Sequence, residues 1–456
     1  MNLEVVILAA GQGSRMKSTL PKVLHPLGGK PLLAHVVDTA EQLAPAAIHV
    51  VVGHGTEAVR SAMSEFDINW VEQSEQLGTG HAVAQALPHV SPQSVVLVLY
   101  GDVPLAELST LQRLSILAQE APALLTARLG NPSGYGRILR NEDNVLVGVV
   151  EDKDASAKQR EIDEVNTGLL AAPYADLAEY LPRVSNSNQQ AEYYLPDILS
   201  LAVEAGKTVS TCEAASEIEI LGVNDRVQLN QVEREYQRRQ AHELMRDGVS
   251  IADANRVDIR GELTCGDDVS IDVNAVFEGC VHLEDNVQIG ANCVLRDARI
   301  GRGSVIHPMS HLQEVDIGSD CSVGPFARLR PGTALQEGAK IGNFVETKKA
   351  RIGQGSKINH LSYIGDCDMG SDVNVGAGTI TCNYDGVNKH RTEMGDGVFV
   401  GSNSTLVAPL TIEKQGFVGA GSTITSKVGS EELAVSRARQ RNIQGWKRPS
   451  KKENRD

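Results

Sequence analysis

Two glycines and two cations follow the first apolar run of this chain at a spacing suited to holding a phosphate. The run reads Leu8-Ala9-Ala10-Gly11-Gln12-Gly13-Ser14-Arg15-Met16, then Leu20-Pro21-Lys22. The glycines let the backbone approach a nucleotide, and exposed N–H groups cradle phosphate oxygens. Arg15 and Lys22 add fixed positive charge to the same loop. Met16 stands where a dinucleotide fingerprint needs its third glycine, and no Gly-Lys-Ser/Thr follows at P-loop distance. The plainer alternative is a strand-helix turn with surface cations. Asp102 ends a second apolar run, Val95 to Tyr100, where an α/β sheet binds its ligands. A hard carboxylate there suits Mg²⁺, which takes one or two protein ligands plus phosphate oxygens and water. His360, in Ile358-Asn359-His360-Leu361-Ser362-Tyr363, is a candidate base. Imidazole removes protons near neutral pH, although a lone histidine is more often structural.

These groups need elements to hold them. Leu3 to Leu8 and Val95 to Tyr100 are continuous apolar runs, the mark of buried parallel strands. A helix is expected at about 31–43 and a strand at Ile48 to Val52, so the first half reads as a doubly wound α/β domain. After Asn224-Asp225 a linker helix is expected to about Arg246. Leu229, Val232 and Tyr236 lie at helical spacing, Glu235 and Arg239 pair across one turn, and Gly248 ends it.

The second half keeps a six-residue beat: Ile289-Gly290, Val294, Ile300-Gly301, Val305, Ile317-Gly318, Val323-Gly324. It resumes at Ile341-Gly342, Ile352-Gly353, Ile358, Ile364-Gly365, Val375-Gly376, Val400-Gly401, Ile412, Val418-Gly419 and Ile424. This is the hexapeptide signature of a parallel β-helix with about eighteen residues per coil. The aliphatic residue stacks inside the prism, and the glycine is expected to serve the tight corner between flat faces. About ten coils fit between 251 and 430. The beat breaks between Cys382 and Val398, where Asn383-Tyr384-Asp385-Gly386-Val387-Asn388-Lys389 reads as a projecting loop.

The chain has 456 residues, too many for one ordinary domain. With 41% hydrophobic and 22% charged residues it is globular. A net charge of −15 argues against nucleic-acid partners. No apolar run is long enough for a membrane span, and the N-terminus has no basic leader. The seven cysteines include no C-x-x-C pair, and six lie in the repeat as small buried hydrophobes. Reduced thiols and a cytoplasmic location are expected.

The glycine loop with its downstream Pro-Lys resembles the sugar-nucleotide pyrophosphorylases. Further matches are Gln73, Gly78-Thr79, Tyr100-Gly101-Asp102, Gly134-Tyr135-Gly136-Arg137, Glu151, Asn166-Thr167-Gly168 and Gly222-Val223-Asn224. With a hexapeptide β-helix behind it, nearly the whole chain resembles the bifunctional N-acetylglucosamine-1-phosphate uridylyltransferase and glucosamine-1-phosphate acetyltransferase family. The resemblance implies a Rossmann-like nucleotidyltransferase domain (1–224), a linker helix (225–248), a left-handed parallel β-helix (249–430) and a tail (431–456).

It also implies the chemistry. Acetyl-CoA acetylates glucosamine 1-phosphate, and the N-acetylglucosamine 1-phosphate then takes a uridylyl group from UTP. The product, UDP-N-acetylglucosamine, feeds peptidoglycan and lipopolysaccharide synthesis. Arg15 and Lys22 become catalytic cations, and Leu8, Ala9, Ala10 and Gly11 join the nucleotide loop. Gln73, Gly78 and Thr79 are placed on uracil, and Tyr100 and Gly101 on the nucleotide rim. Gly136, Glu151 and Asn166 are placed on the sugar, with Asp102 and Asn224 as Mg²⁺ ligands. On residues alone Asn224 reads as a helix N-cap, and His54 and His81 as loop residues. In the repeat, His360 becomes the base, Arg330 and Lys348 hold the sugar phosphate, and Tyr363 and Asn374 hold the sugar. Ala377, Asn383, Tyr384, Ser402, Ala420 and Arg437 bind acetyl-CoA in a groove between prisms of a homotrimer. A monofunctional nucleotidyltransferase with an assembly-only β-helix, and a non-catalytic nucleotide sensor, are the other readings. His360 with Lys348 and Asn383-Tyr384 speaks against the first, and Arg15, Lys22, Asp102 and Asn224 against the second.

Overall fold

A computed structural model describes residues 2–11 and 13–450. The chain splits into two compact units, Met1–Gln240 and Ala241–Asp456. The end of the expected tail, 451–456, lies outside the described residues.

The first unit is built on a sheet whose central strand, Leu3–Leu8, is buried along its whole length. The strand order is Ser210–Glu213, Ala123–Arg128, Glu164–Pro173, Val95–Tyr100, Leu3–Leu8, Ala47–Val52, Asn69–Glu72. Leu3–Leu8 runs parallel to both its neighbours. Glu164–Pro173 runs antiparallel to its own two, so the sheet is mixed. Strand direction is invisible in the sequence because this strand is buried on both faces, like its parallel neighbours. Its ladder breaks between Asn166 and Leu170. Gly168 sits in that break with φ +84°, and a Cβ there would lie 2.7 Å from Cε2 of Tyr100. The irregularity thus makes room for the tyrosine at the strand end beside it.

The helix runs Arg226–Arg246. Asp225 caps it, its Oδ1 accepting from the N–H groups of Val227 and Gln228 at 2.9 Å. Glu235 accepts from Arg239 at 3.0 Å. Val232 is buried with Met16, Leu27, Leu32, Leu105 and Val223, and Leu229 and Tyr236 pack on that cluster. Gly28 has φ +55°, and a side chain there would collide with the Tyr236 ring. The Gly28 N–H donates to Glu233 at 2.9 Å.

The second unit is a left-handed parallel β-helix. One of its long sheets has eleven strands, from Ser250–Ile251 to Leu433–Ala434. Most steps between stacked strands are seventeen or eighteen residues, as in Ser270 to Gln288 to Val305 to Ser322 to Lys340. Ile271, Ile289, Ile306, Val323, Ile341, Ile358, Val375, Val400 and Val418 form one interior column, buried throughout. Each is worth about 1.5–3 kcal/mol of apolar burial. The step from Asn374 to Phe399 is longer and carries the 383–389 loop.

The glycines of the beat serve a different purpose from the one expected. Gly342, Gly376 and Gly401 do not have left-handed backbones. A side chain on Gly342 would collide with the Asn359 carbonyl, and one on Gly376 would sit 2.5 Å from the Ser402 nitrogen. Close stacking of the next coil demands them. The left-handed corners fall at Asn292, Met309, Phe326, Phe344 and Leu361 instead. The cysteines also divide: Cys293, Cys321 and Cys367 are buried, while Cys280 is exposed, contrary to expectation. All seven are free thiols. Among the described residues no helix is long and apolar enough to cross a membrane.

Candidate active sites

The first site is a cleft of about 790 Å³ beyond the carboxyl ends of Leu3–Leu8 and Val95–Tyr100. Leu8, Ala9, Ala10, Gly11, Arg15, Lys22, Gln73, Gly78, Thr79, Tyr100, Asp102 and Asn224 all line it. Gly101 does not; it is packed behind the wall against Leu33, Val23 and Ala9. The Lys22 ammonium pairs with the Asp102 carboxylate, and both side chains are only 13% exposed. Asn224 Oδ1 accepts from Arg15 at 2.9 Å and from Lys22 at 3.3 Å. Asn224 is therefore not the helix cap. Asp225 takes that role, and Gln228 accepts from the Asn224 N–H at 2.8 Å. The oxygens of Asp102 and Asn224 meet on one cation, the Lys22 ammonium. Two hard donors converging this way fit Mg²⁺, with phosphate and water oxygens completing its shell.

The Gly78-Thr79 turn is held by a segment that sequence reasoning missed. Tyr193 donates to Leu77 and accepts from Gly80, each at 2.8 Å, and Thr79 Oγ1 accepts from the Leu195 N–H at 3.0 Å. Gln73 donates to the Gly78 carbonyl at 3.1 Å and to His81 Nδ1 at 3.0 Å. His81 thus anchors Gln73 from the first turn of the Thr79–Ala86 helix rather than serving a loop. His54 stays exposed in a turn. Glu192 also lines the cleft, from a stretch with no motif.

Gly136, Glu151 and Asn166 come together beside this cleft. The Asn166 N–H donates to the Gly136 carbonyl at 2.8 Å. A Cβ on Gly136 would lie 3.1 Å from Glu151 Oε1 and 3.4 Å from the Asn166 side chain. Burial, then the nearby Asp197 and Asp154 carboxylates, push the Glu151 carboxyl above its usual range. Burial also pushes Asp197 up to about 6. Neither aspartate was legible as a site residue. Burial, then Glu151 and Asp102, raise the Tyr100 phenol, so it stays a neutral donor.

The second site lies on the β-helix surface. His360 ends the Lys357–His360 strand and is exposed. Its Nδ1 lies 2.7 Å from Oδ1 of Asn343, its register partner in the preceding coil. Arg330 pairs with Glu346 at 2.7 Å. Lys389 first, and Arg330 next, hold the Lys348 ammonium below the usual lysine range. Three cations gathered this closely make an anion site. Lys389, from the projecting loop, was not foreseen as a member. Tyr363 stands opposite Glu346 and Ile380, with its hydroxyl over Gly365. Asn374 lies opposite Lys357, on the sheet that carries His360.

Ala377, Ser402, Ala420 and Arg437 stack in successive coils. The Asn403 N–H donates to the Ala377 carbonyl at 2.7 Å, that of Gly421 to Ser402 at 2.8 Å, and Arg437 to the Ala420 carbonyl at 2.6 Å. Asn383 is buried against the Asp366 carboxylate. Tyr384 and Val387 project, 59% and 84% exposed. Asp385 shapes this loop through the Val387 and Asn388 N–H groups and His390; chiefly the Asn388 bond holds its carboxyl well below the usual range.

Residues 5–142 match the MobA-like NTP transferase domain. Over 450 residues the chain is 58% identical to the bifunctional protein GlmU of Marinobacter nauticus, covering 98% of this chain and 99% of that one. Over 453 residues it is 55% identical to the protein of the same name from Stutzerimonas stutzeri, covering 99% and 100%. A solved nucleotidyl transferase from Methanothermobacter thermautotroptrophicus aligns with 52% of this chain and 98% of its own, at 21% identity and a TM-score of 0.38.

Proposed function

The chain belongs to the bifunctional GlmU protein family, whose members make UDP-N-acetylglucosamine, and on that premise we propose which residues perform each half of the work. The uridylyltransferase is the 1–224 domain and the acetyltransferase the 249–430 β-helix, joined by the 225–248 helix and followed by the 431–456 tail. The observation that carries the first assignment is the convergence of Arg15, Lys22, Asp102 and Asn224 in one cleft.

In uridylyl transfer, a phosphate oxygen of N-acetylglucosamine 1-phosphate attacks the α-phosphorus of UTP in line. The new P–O bond forms as the bond to pyrophosphate breaks, and no covalent enzyme intermediate is needed. Arg15 and Lys22 neutralise the triphosphate, and the Leu8–Gly11 backbone follows its oxygens. Asp102 and Asn224 would hold Mg²⁺, which when bound supplies further charge compensation. Gln73 and the Gly78-Thr79 turn hold uracil; Gly136, Glu151 and Asn166 hold the sugar.

In acetyl transfer, the amine of glucosamine 1-phosphate attacks the thioester carbonyl of acetyl-CoA. The C–N bond forms, the C–S bond breaks, and His360 takes the amine proton. Arg330 and Lys348 hold the sugar phosphate, and Tyr363 and Asn374 the sugar. The Ala377, Ser402, Ala420 and Arg437 ladder, with Asn383 and Tyr384, follows the CoA. The exposed 384–387 loop reaches a neighbouring chain, so the assembly is a homotrimer with sites between prisms. The seven unpaired thiols support work in the reducing cytoplasm.

One coupled assay tests the assignment. Glucosamine 1-phosphate, acetyl-CoA and UTP are supplied together, and free thiol and pyrophosphate are followed separately. Both should appear. Pyrophosphate release that never follows thiol release, even with N-acetylglucosamine 1-phosphate supplied, would overturn it.

A further inference from the structure

We infer that Asn343 is a positioning residue for acetyl transfer, holding His360 in the tautomer whose lone pair lies on Nε2. The inference rests on the reading of His360 as the base. Asn343 ends the Lys340–Asn343 strand and His360 ends Lys357–His360, and the two are register partners in stacked coils. Nδ1 of His360 lies 2.7 Å from Asn343 Oδ1. An amide oxygen only accepts, so Nδ1 carries the hydrogen. Among the described residues Nε2 makes no hydrogen bond.

Imidazole free in water prefers its proton on Nε2, which would block that nitrogen as a base. The Asn343 contact reverses the preference at the atom left open to substrate. The partners cannot drift apart easily. The Leu361 N–H donates to the Asn343 carbonyl at 3.1 Å, and the glycine at 342 lets the Asn359 carbonyl approach where any side chain would collide. The backbone that carries the amide is therefore fixed to the backbone that carries the ring, and His360 is aimed before substrate arrives.

The direct test is ¹⁵N NMR on the full chain labelled at histidine, with His360 assigned by the signals lost in His360→Gln. Above pH 8 the Nε2 resonance should fall in the unprotonated range and Nδ1 in the protonated range. In Asn343→Leu, of similar size but without an acceptor, the two should exchange character. Kinetically, Asn343→Leu should lower kcat for acetyl transfer about 10- to 100-fold with KM changed less than about threefold. Asn343→Asp keeps an acceptor and should restore kcat to within about fivefold of wild type. Uridylyl transfer in the same preparations reports folding of the chain. A wild-type ring protonated on Nε2 would overturn the inference, as would an Asn343→Leu variant acetylating at the wild-type kcat. Undiminished acetylation by His360→Ala would instead remove the underlying role of His360, and the NMR result would still settle the tautomer.

Discussion

The two sites differ in how much of themselves one chain supplies. The nucleotide cleft is closed on several sides by one unit, with its cations already docked on Asp102 and Asn224 at low exposure. The acetyl-transfer residues lie on the outside of a prism, with His360 exposed and Tyr384 and Val387 projecting into solvent. A doubly wound sheet makes a crevice wherever its strands end, so a single domain suffices. A β-helix fills its interior with stacked aliphatic side chains and has only faces and corners to offer. A site built on such a surface excludes water only when something covers it. The comparison teaches that catalysis in the first unit needs little beyond the fold, whereas in the second it needs a partner.

The sharpest way to break this division is crosswise mutation. His360→Ala should lower acetyl transfer about 10²- to 10⁴-fold, mainly in kcat, and leave uridylyl transfer of supplied N-acetylglucosamine 1-phosphate unchanged. Asp102→Asn should do the reverse, lowering Mg²⁺-dependent pyrophosphate release about 10²- to 10³-fold with thiol release intact. Rates of both products from each variant check the pair. Full pyrophosphate release by Asp102→Asn would remove the metal assignment.

A smaller effect should come from the ladder break beneath Tyr100. Gly168→Ala adds a Cβ 2.7 Å from the Tyr100 ring at a left-handed position. Uridylyl kcat/KM should fall about tenfold and the first unit should lose about 1–3 kcal/mol, read from urea midpoints, with acetyl transfer unaffected. An undisturbed nucleotide affinity would mean that Tyr100 is not held by this contact.

Much of this architecture was legible because it depends on local pattern. Leu3–Leu8 and Val95–Tyr100 are continuous apolar runs, and the hexad beat fixes coil size directly. Asp225-x-x-Gln228 was a readable capping signal, and noticing it would have freed Asn224 for the site. What was not legible depends on distant segments meeting. Asn343 joins His360 only through coil register, Lys389 joins Lys348 through a loop, and Glu192 reaches the cleft from a stretch without periodicity. The role of the repeat glycines was misjudged for the same reason, since the constraint lies in the next coil.

The mildest contrast should appear in acid. His35 is buried in the first unit, its Nε2 2.8 Å from the Leu27 carbonyl oxygen, and burial holds its pKa below the ordinary 6.5. Burial and then Arg226 depress His25 likewise. The unfolded chain therefore binds more protons below pH 6.5, so the stability these neutral rings contribute is present above that pH and is lost as pH falls through it. Between pH 7 and 5 the first unit should weaken by at most about 1.4 kcal/mol per pH unit for each histidine. Trp70 fluorescence during urea unfolding reports this unit, and His35→Gln should flatten the slope.

The claim that one site is complete in a chain and the other is shared is tested most directly by mixing inactive proteins. One partner carries His360→Ala. The other keeps His360 but has 384–389 replaced by a short glycine linker. Refolded or co-expressed together, they should regain acetyl transfer, because an intact His360 on one chain can meet an intact loop from another. Asp102→Asn mixed with Lys22→Ala should regain no uridylyl transfer. Mixed assemblies verified by mass that stay silent in acetyl transfer would contradict the shared site.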